Sequence, residues 1–544
     1  MFGMGAMSNS IRELEDSPFI FAIGTNTTES HPVIALRIKK AVKKGARLIV
    51  ADPRRIDLVR FAERYLPLRV GSDLALLNAM AHVIVDEQLY RQDYLDARAE
   101  GFDVYREHLS SLTPEWAAPI CGIDPQIIRE VARAYATAER AAICYTLGIT
   151  EHACGVSNVE ALGNLALLTG NLGRRSAGVN PLRGQNNVQG TGDMGCMPES
   201  LPGYMKVANP DDRAFVSRAW GLEVSATPGK KKPEVVEAVL AGKLHAMWVM
   251  GDNTVISDTD SVRTVAALRA LDFLVVQDIF LTETAKLAHV VLPAAASFAE
   301  VDGIYTNSDR HVQRVRKAVE PPGQAWPDWK IIAEAAKHLG HDWGYADAEA
   351  VWSEAAAIAP TLRGISYQRL ETEHLAWPCP DATHPGTEFL HVGTFKRGRG
   401  LFMNVSHQPI ADGTDEEFPL ILSTGRRLST YHTGTQTRRA RHFDRIQSRE
   451  EVEVHPADAA ALGLSDGARV SISSRRGTVE AHLKITDRSP RGTVFMTFHF
   501  PDQTHTNLLS STAVDPLTLT PEFKACAVRI SPSAPTEAFR LEEH

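Results

Sequence analysis

One stretch of the 544-residue chain stands out for the chemistry its side chains can do. Between Gly178 and Gly195 lie five glycines, three asparagines and a single cation, Arg183, which is followed directly by Gly184, Gln185 and Asn186. Glycines let a backbone approach a ligand closely, and Asn and Gln amides can read the edge of a heterocycle. A lone arginine among amides suits two-point capture of a carboxylate, because its planar fork matches the two oxygens. The structural alternative is a flexible surface loop with an idle arginine, but loop composition alone does not select a Gln-Asn-Asn run.

A second set of candidates closes apolar runs: Gly24 to Asn26, Asp52 to Arg54, Gly71 to Asp73, Gly148 to Thr150, Gly251 to Asn253, and Gln277 with Asp278. In open α/β sheets, ligands sit beyond the carboxyl ends of strands, where helix N-termini offer N–H groups to phosphates. Asp52 follows Asn26 by 26 residues, near the spacing of a ribose-binding carboxylate in a nucleotide fold. No GxGxxG directly closes any of these apolar runs, which disfavours a standard NAD site and leaves another phosphate-bearing nucleotide cofactor. Ordinary capped turns are the alternative reading of each cluster. A third group crowds hydroxyls, His and Arg around turns from Ser423 to Arg439. It suits a phosphate grip or, equally, a solvated basic edge.

The elements that must position these residues follow from the pattern. Phe19–Ile23 and Arg47–Ala51 are short apolar runs flanking a helix, a βαβ unit that implies a parallel sheet. Further strands are expected at 66–70, 141–145, 246–250, 273–276 and 290–292. One helix, with N-cap chemistry from Thr27 to Ser30, should carry Val33, Ile34, Leu36, Ile38 and Val42 and stop at Gly45, one should run from Leu74 to about Glu87, and one should end near Gly170. After about residue 385, short strands at 419–422, 451–454, 468–472, 478–485 and 493–497 imply an all-β module, plausible as a barrel. The expected fold class is therefore α/β with a C-terminal β barrel.

Composition narrows the functional class. Hydrophobic residues make up 44% and charged residues 23%, ordinary for a globular chain of several domains. Lys plus Arg is 58 against 66 for Asp plus Glu, a net charge of −8 that disfavours general nucleic-acid binding. Six cysteines with no CxxC or CxxxC spacing give neither a disulfide framework nor an iron–sulfur signature. No signal peptide and no apolar run long enough for a bilayer is present, so a cytoplasmic protein without a membrane span is expected.

At these residues the sequence resembles the catalytic α subunit of molybdenum- or tungsten-dependent formate dehydrogenases, in the bis-molybdopterin guanine dinucleotide (dimethyl sulfoxide reductase) family. The resemblance is carried by Gly5 to Asn9, Gly24 to Pro32, Ala51 to Arg55, Leu168 to Asn171, Arg183 to Gly190, Gln277 to Phe280 and Thr520 to Arg529. It runs the length of the chain. It implies two Rossmann-like αβα domains, at 1–185 and 186–385, with a C-terminal β-barrel domain at 386–544. One guanine dinucleotide would be lined by Asn26, Glu29, Ser30, Asp52, Arg54, Gly71 and Asp73. The other would be lined by Gly184, Gln185, Asn186, Gly251, Asp252, Gln277, Asp278 and Asp302. The barrel would add Arg426, His432, Thr433, His499, Asn507 and Lys524. Arg183 matches the family's active-site arginine, which holds formate beside the metal. The pattern from Thr424 to Arg439 looks like the NAD-linked soluble branch, implying iron–sulfur and NAD- or flavin-type electron-transfer subunits as partners. Alternatives are a sister enzyme on the same cofactor, such as a nitrate reductase, and a non-catalytic cofactor-binding remnant.

The chain also departs from the family. The family's [4Fe–4S] cluster and its metal-ligating Cys-His or selenocysteine-His pair lie upstream of the segment where this chain begins, and no Cys-His dipeptide occurs here. Glu151 stands where the family often has Gln. The resemblance thus implies an N-terminally incomplete catalytic subunit, produced by a selenocysteine codon read as a stop, by a frameshift or late start, or by a true split. Sequencing the upstream DNA tests this: an in-frame Cys or UGA codon followed by His fits the first two, and its absence leaves a split or degenerate gene.

Overall fold

A computed structural model describes residues 1–533. The runs Phe19–Ile23, Arg47–Ala51 and Ala141–Tyr145 are almost wholly apolar and become buried parallel strands. Parallel strands are covered on both faces, so their sequences lack alternation. They form a five-stranded sheet in the order Arg64–Leu66, Arg47–Ala51, Phe19–Ile23, Ala141–Tyr145, Gly178–Pro181. One face packs on helices Asp73–Asp86, Pro125–Thr137 and Gly155–Leu168, through side chains such as Leu77, Ile128 and Leu162. The other face packs on helix Pro32–Lys43 through Ile34 and Ile38.

A second lobe carries a three-stranded parallel sheet, with Phe273–Asp278 between Ala246–Met250 and Val290–Pro293. Helices Lys232–Leu240 and Ser261–Arg269 pack beside it through Val239 and Leu268. Beyond it, Gly303–Thr306, His311–Val315 and Leu375–Ala376 make an antiparallel sheet with its own core around Trp352 and Trp377. The chain then revisits the first lobe, where Phe395, Phe402 and Val405 join the core of the first sheet. A closed six-stranded barrel follows, in the order Leu420–Gly425, Thr493–Thr497, Glu451–Val454, Thr478–Ile485, Arg469–Ser473, Cys526–Pro532. Among the described residues no helix is long and apolar enough to cross a membrane.

The helix expected to be capped at Thr27 to Ser30 and to stop at Gly45 forms at Pro32–Lys43, with proline at the first helical position, and the capping residues themselves make one helical turn, Thr27–Ser30. Two local expectations shift. The strand expected at 66–70 lies instead at Arg64–Leu66, because Pro67 has no N–H for the ladder. The glycine-rich stretch from 178 to 195 is not a loop throughout. It contributes strand Gly178–Pro181 and helix Val188–Asp193.

The order in which the chain adds strands to the first sheet switches sides between Phe19–Ile23 and Ala141–Tyr145, and the turns after those two parallel strands press together. Gly148 donates its N–H to the Gly24 carbonyl at 3.2 Å, and a Cβ on Gly148 would lie 2.6 Å from that oxygen. Gly148→Ala should therefore push the two turns apart and cost about 1–3 kcal/mol, read as a lower urea midpoint with an unchanged slope.

Candidate functional site

The same turn is built at the carboxyl end of both sheets. Gly24, at φ +55°, donates to the Ala51 carbonyl at 3.0 Å, and Gly251, at φ +62°, donates to the Gln277 carbonyl at 2.8 Å. A one-turn helix follows each, Thr27–Ser30 and Thr254–Ser257. In each, an Asn carbonyl accepts the N–H of a Ser: Asn26 from Ser30 at 2.9 Å, and Asn253 from Ser257 at 3.0 Å. The shared Gly-x-Asn-Thr-x-x-Ser pattern is the sequence trace of this duplication.

Beyond each turn lies a cavity, one of about 1280 Å³ and one of about 1190 Å³. Each exceeds the roughly 300–1,000 Å³ of an ordinary small-molecule pocket. They meet at Gln185, Tyr431, His432, Thr518 and Thr520, which line both. Asn26, Glu29, Ser30, Asp52, Arg54, Gly71, Asp73, Arg183, Gly184, Arg426 and Lys524 line the first. Asn186, Gly251, Asp252, Asp278 and Thr433 line the second. Four expected residues line neither. Gln277 is fully buried and donates to Asp328 at 2.5 Å. Asn507 donates to the Ile256 and Ser257 carbonyls at 2.8 and 3.2 Å, and so braces the turn after Gly251. His499 lies behind the barrel loop, bonding to the His432 carbonyl through Nδ1 and accepting the Arg427 N–H at 2.9 Å through Nε2. Asp302 is exposed and pairs with Arg314 at 3.6 Å.

The walls are polar and under-satisfied. Burial pushes the Asp52 carboxyl up to about 7 and that of Asp73 to about 6. In the first cavity Glu29 Oε2 and His31 Nδ1 are buried without a hydrogen-bond partner among the described residues, and Thr254 Oγ1, Gln277 Oε1 and Asn507 Oδ1 are likewise unpaired behind the lining of the second. The Arg426 guanidinium sits 4.1 Å from the centroid of the Phe498 ring with no hydrogen bond among the described residues, and desolvation pulls its pKa down. Buried polar groups left unpaired are costly, so the first cavity, with Glu29, His31 and Arg426 in its wall and joined to the second, fits a large, polar ligand spanning both. Other charges are already engaged. Arg54 forms a two-point ion pair with the barrel's Glu453, at 2.6 and 2.8 Å, and stacks 4.0 Å from the Phe495 centroid. Lys524 pairs with Glu151 at 2.8 Å, so the glutamate at that position acts on a lysine of the barrel end.

Arg183 lines the first cavity next to Gln185, where the two cavities join. Its Nε donates to Gln189 Oε1 at 2.8 Å and its Nη2 to the Gly5 carbonyl at 3.0 Å. Gln189 is itself fixed, since its Nε2 donates to Asp193 Oδ1 at 2.9 Å and to the Tyr204 hydroxyl at 2.6 Å. Trp377 Nε1 holds the other Asp193 oxygen at 2.7 Å. The Arg183 carbonyl accepts from Ser308 at 3.1 Å and bonds with His31 Nε2 at 3.0 Å. Asn187 takes a left-handed conformation, φ +59°, and its Oδ1 accepts the Thr306 N–H at 3.0 Å, so it shapes the loop.

Sequence reasoning left His31 and Lys232 out of the site and had Tyr431 only within the Ser423 to Arg439 cluster. Lys232 Nζ bridges Asp252 at 2.6 Å and Asp258 at 2.5 Å at the second cavity. The available signal was the Lys231-Lys232-Pro233 start of a helix, since Pro at a first turn fixes where that helix begins.

Residues 3–338 match the family described as Molybdopterin oxidoreductase, and residues 420–527 match the Molydopterin dinucleotide binding domain. The F420-dependent formate dehydrogenase subunit alpha of Methanocaldococcus jannaschii is 45% identical over 534 residues, 97% of this chain and 78% of that protein. Formate dehydrogenase H of Escherichia coli is 37% identical over 543 residues, 98% of this chain and 76% of that protein. Among solved structures, acetylene hydratase from Pelobacter acetylenicus superposes with a TM-score of 0.77 at 20% identity, covering 96% of this chain and 81% of that one, and so shares the fold. With the doubled strand-end turns, the paired cavities and the closed barrel, these matches make the chain a member of the molybdopterin oxidoreductase family, related to the formate dehydrogenase alpha subunits.

Proposed function

We propose that this chain is the catalytic part of a formate dehydrogenase, oxidising formate to carbon dioxide at a bis-molybdopterin guanine dinucleotide centre carrying molybdenum or tungsten. The observation that carries the reading is Arg183: a guanidinium in the cavity wall, oriented by an amide and a backbone carbonyl, with no carboxylate in hydrogen-bond or ion-pair contact among the described residues. The formate dehydrogenases among its relatives support it.

The reaction HCOO⁻ → CO₂ + H⁺ + 2e⁻ needs the anion held still and a two-electron acceptor. The bound cofactor supplies that acceptor. The protein supplies position and charge. Arg183 has five N–H donors, of which Gln189 and Gly5 take two. The Nη1–Nη2 edge keeps enough donors for a two-point, charge-assisted contact with formate. In the first cavity Asn26, Glu29, Ser30, Asp52, Gly71 and Asp73 would hold one dinucleotide, with Arg426 taking phosphate charge from the barrel side. In the second cavity Asn186, Gly251, Asp252, Asp278 and Thr433 would hold the other, while Gln185 and His432 touch both. Gln277, His499 and Asn507 act from behind, fixing the turns that meet the ligand. A [4Fe–4S] cluster in the complete subunit, iron–sulfur and NAD- or flavin-type partner subunits, and a cytoplasmic location belong to the same proposal.

Arg183→Ala in the complete enzyme should lower kcat/KM for formate about 10²- to 10³-fold, and Arg183→Lys should recover only part, because an ammonium lacks the planar fork. Steady-state assays with formate check this, and a near-normal value would remove Arg183 from its role.

Asp52 gives a second test, on the unloaded chain. Folded, it keeps its proton up to about pH 7, well above its ordinary value of 3.8. The native state therefore binds more protons than the unfolded state between those values, and stability falls as pH rises through that window. Asp52→Asn should be more stable than the parent at pH 8, by about 1–3 kcal/mol, with the gap narrowing by pH 5. Urea midpoints at the two pH values provide the check.

A further inference from the structure

Trp377 and Arg310 are the two largest side chains wholly shut off from solvent among the described residues. Arg310 closes the turn at 307–310, between strands Gly303–Thr306 and His311–Val315, in a left-handed conformation at φ +72°. A buried cation is costly without partners, and burial pulls its pKa down to about 10. Its partners are all neutral. Nε donates to the Met7 carbonyl at 3.0 Å, Nη1 to the Trp377 carbonyl and to that of Thr387 at 2.9 Å, and Nη2 to that of Glu388 at 3.0 Å. A rigid fork of five N–H donors can tie three separate stretches of chain at one point.

Two of these four acceptors lead to Arg183. Met7 lies two residues after Gly5, whose carbonyl takes Nη2 of Arg183. Trp377 carries the Nε1 that holds Asp193, Asp193 holds Gln189, and Gln189 takes Nε of Arg183. The two groups that orient the Arg183 guanidinium therefore trace back to one buried side chain. The same hairpin reaches the Arg183 loop twice more, through Ser308 to the Arg183 carbonyl and through the Thr306 N–H to Asn187 Oδ1. A fastener of the core alone would need no such convergence.

We propose that Arg310 is a positioning residue for Arg183. It fixes the Gly5 carbonyl through Met7 and the Gln189 amide through Trp377 and Asp193, and so sets where the two oxygens of formate are held. The inference rests on the formate reading and adds to it a residue that lines neither cavity. The tolerance of such a site is narrow, since a misplacement of about 1 Å can cost on the order of 10²-fold in rate. Lysine in place of Arg310 keeps the charge but has one nitrogen where the fork has three, and cannot span the acceptors on its different sides.

The test is a double-mutant cycle in the complete enzyme. Arg310→Lys should lower kcat/KM for formate about 10- to 100-fold. In an Arg183→Ala background the same change should cost about twofold at most, because the group it positions is gone. An equal loss in both backgrounds, or no loss in the parent, would overturn the proposal. Trp377→Phe keeps the backbone contact to Arg310 and removes the bond to Asp193, so it severs one of the two routes; the same cycle with this variant decides if Arg310→Lys does not fold. A structure of the variant chain gives a readout apart from turnover: the Arg183 guanidinium should have left Gln189 or the Gly5 carbonyl, and an unmoved guanidinium would contradict the proposal. If Arg183→Ala alone leaves formate turnover near normal, the formate reading falls, and the position of Arg183 in the variant structure still decides what Arg310 does.

Discussion

Arg183 is held by neutral acceptors. An arginine paired with a carboxylate would have its charge cancelled and its fork occupied, and would offer little to an incoming anion. Gln189 Oε1 and the Gly5 carbonyl fix the guanidinium while leaving the positive charge uncompensated. The carboxylate that stabilises this arrangement stands one residue back, where Asp193 accepts from Gln189, Tyr204 and Trp377. Burial raises the pKa of Asp193, and the surrounding donors oppose that rise. The charge of the carboxylate is thus absorbed locally, and its mechanical effect reaches Arg183 through an amide. Position and charge are supplied by separate groups, as a site for a small anion requires.

The rest of the architecture keeps that arginine at a junction. The first cavity lies where the strand order of the first sheet reverses, and the other lies beyond the duplicated turn in the second lobe. The barrel contributes Arg426, His432 and Lys524 to the walls and is tied to the first lobe by the buried Arg54–Glu453 pair. Removing one partner of such a pair leaves a buried charge, at a cost of about 3–5 kcal/mol. This contact therefore holds lobe and barrel in register around the cavities. His499 lines neither cavity, yet it bonds to the carbonyl of His432 and accepts the N–H of Arg427, and so braces a loop that lines both.

Much of this was legible in the sequence, and the reasons are physical. Strands 19–23, 47–51, 141–145, 246–250, 451–454, 478–485 and 493–497 lie where the apolar runs put them, several with an end fixed by a turn residue such as Gly24, Asp52, Gly251, Gly477 or Gly492. Strand-end clusters pointed to the cavities for the same reason: turns there carry the ligand-facing backbone. Legibility failed where long-range contacts decide. Helix Val188–Asp193 looks like loop because its three small or turn-forming residues, Gly190, Thr191 and Gly192, have poor helix propensity, and it is the packing of Gln189 and Asp193 against Tyr204 and Trp377 that orders it. Lys232 is brought to Asp252 by the placement of a whole helix. Family resemblance makes Gln277 and Asn507 ligand contacts, and the amide nitrogens of both donate to a helix start and a strand-end turn that no local pattern announces.

The most direct test is a structure of the complete, cofactor-loaded enzyme with formate or a non-reactive carboxylate analogue bound. The account predicts both carboxylate oxygens within hydrogen-bond distance of the Nη1–Nη2 edge of Arg183, beside Gln185 at the meeting of the two cavities, with the Gln189 contact retained. A carboxylate bound elsewhere, or Arg183 turned onto an acidic side chain, would contradict it.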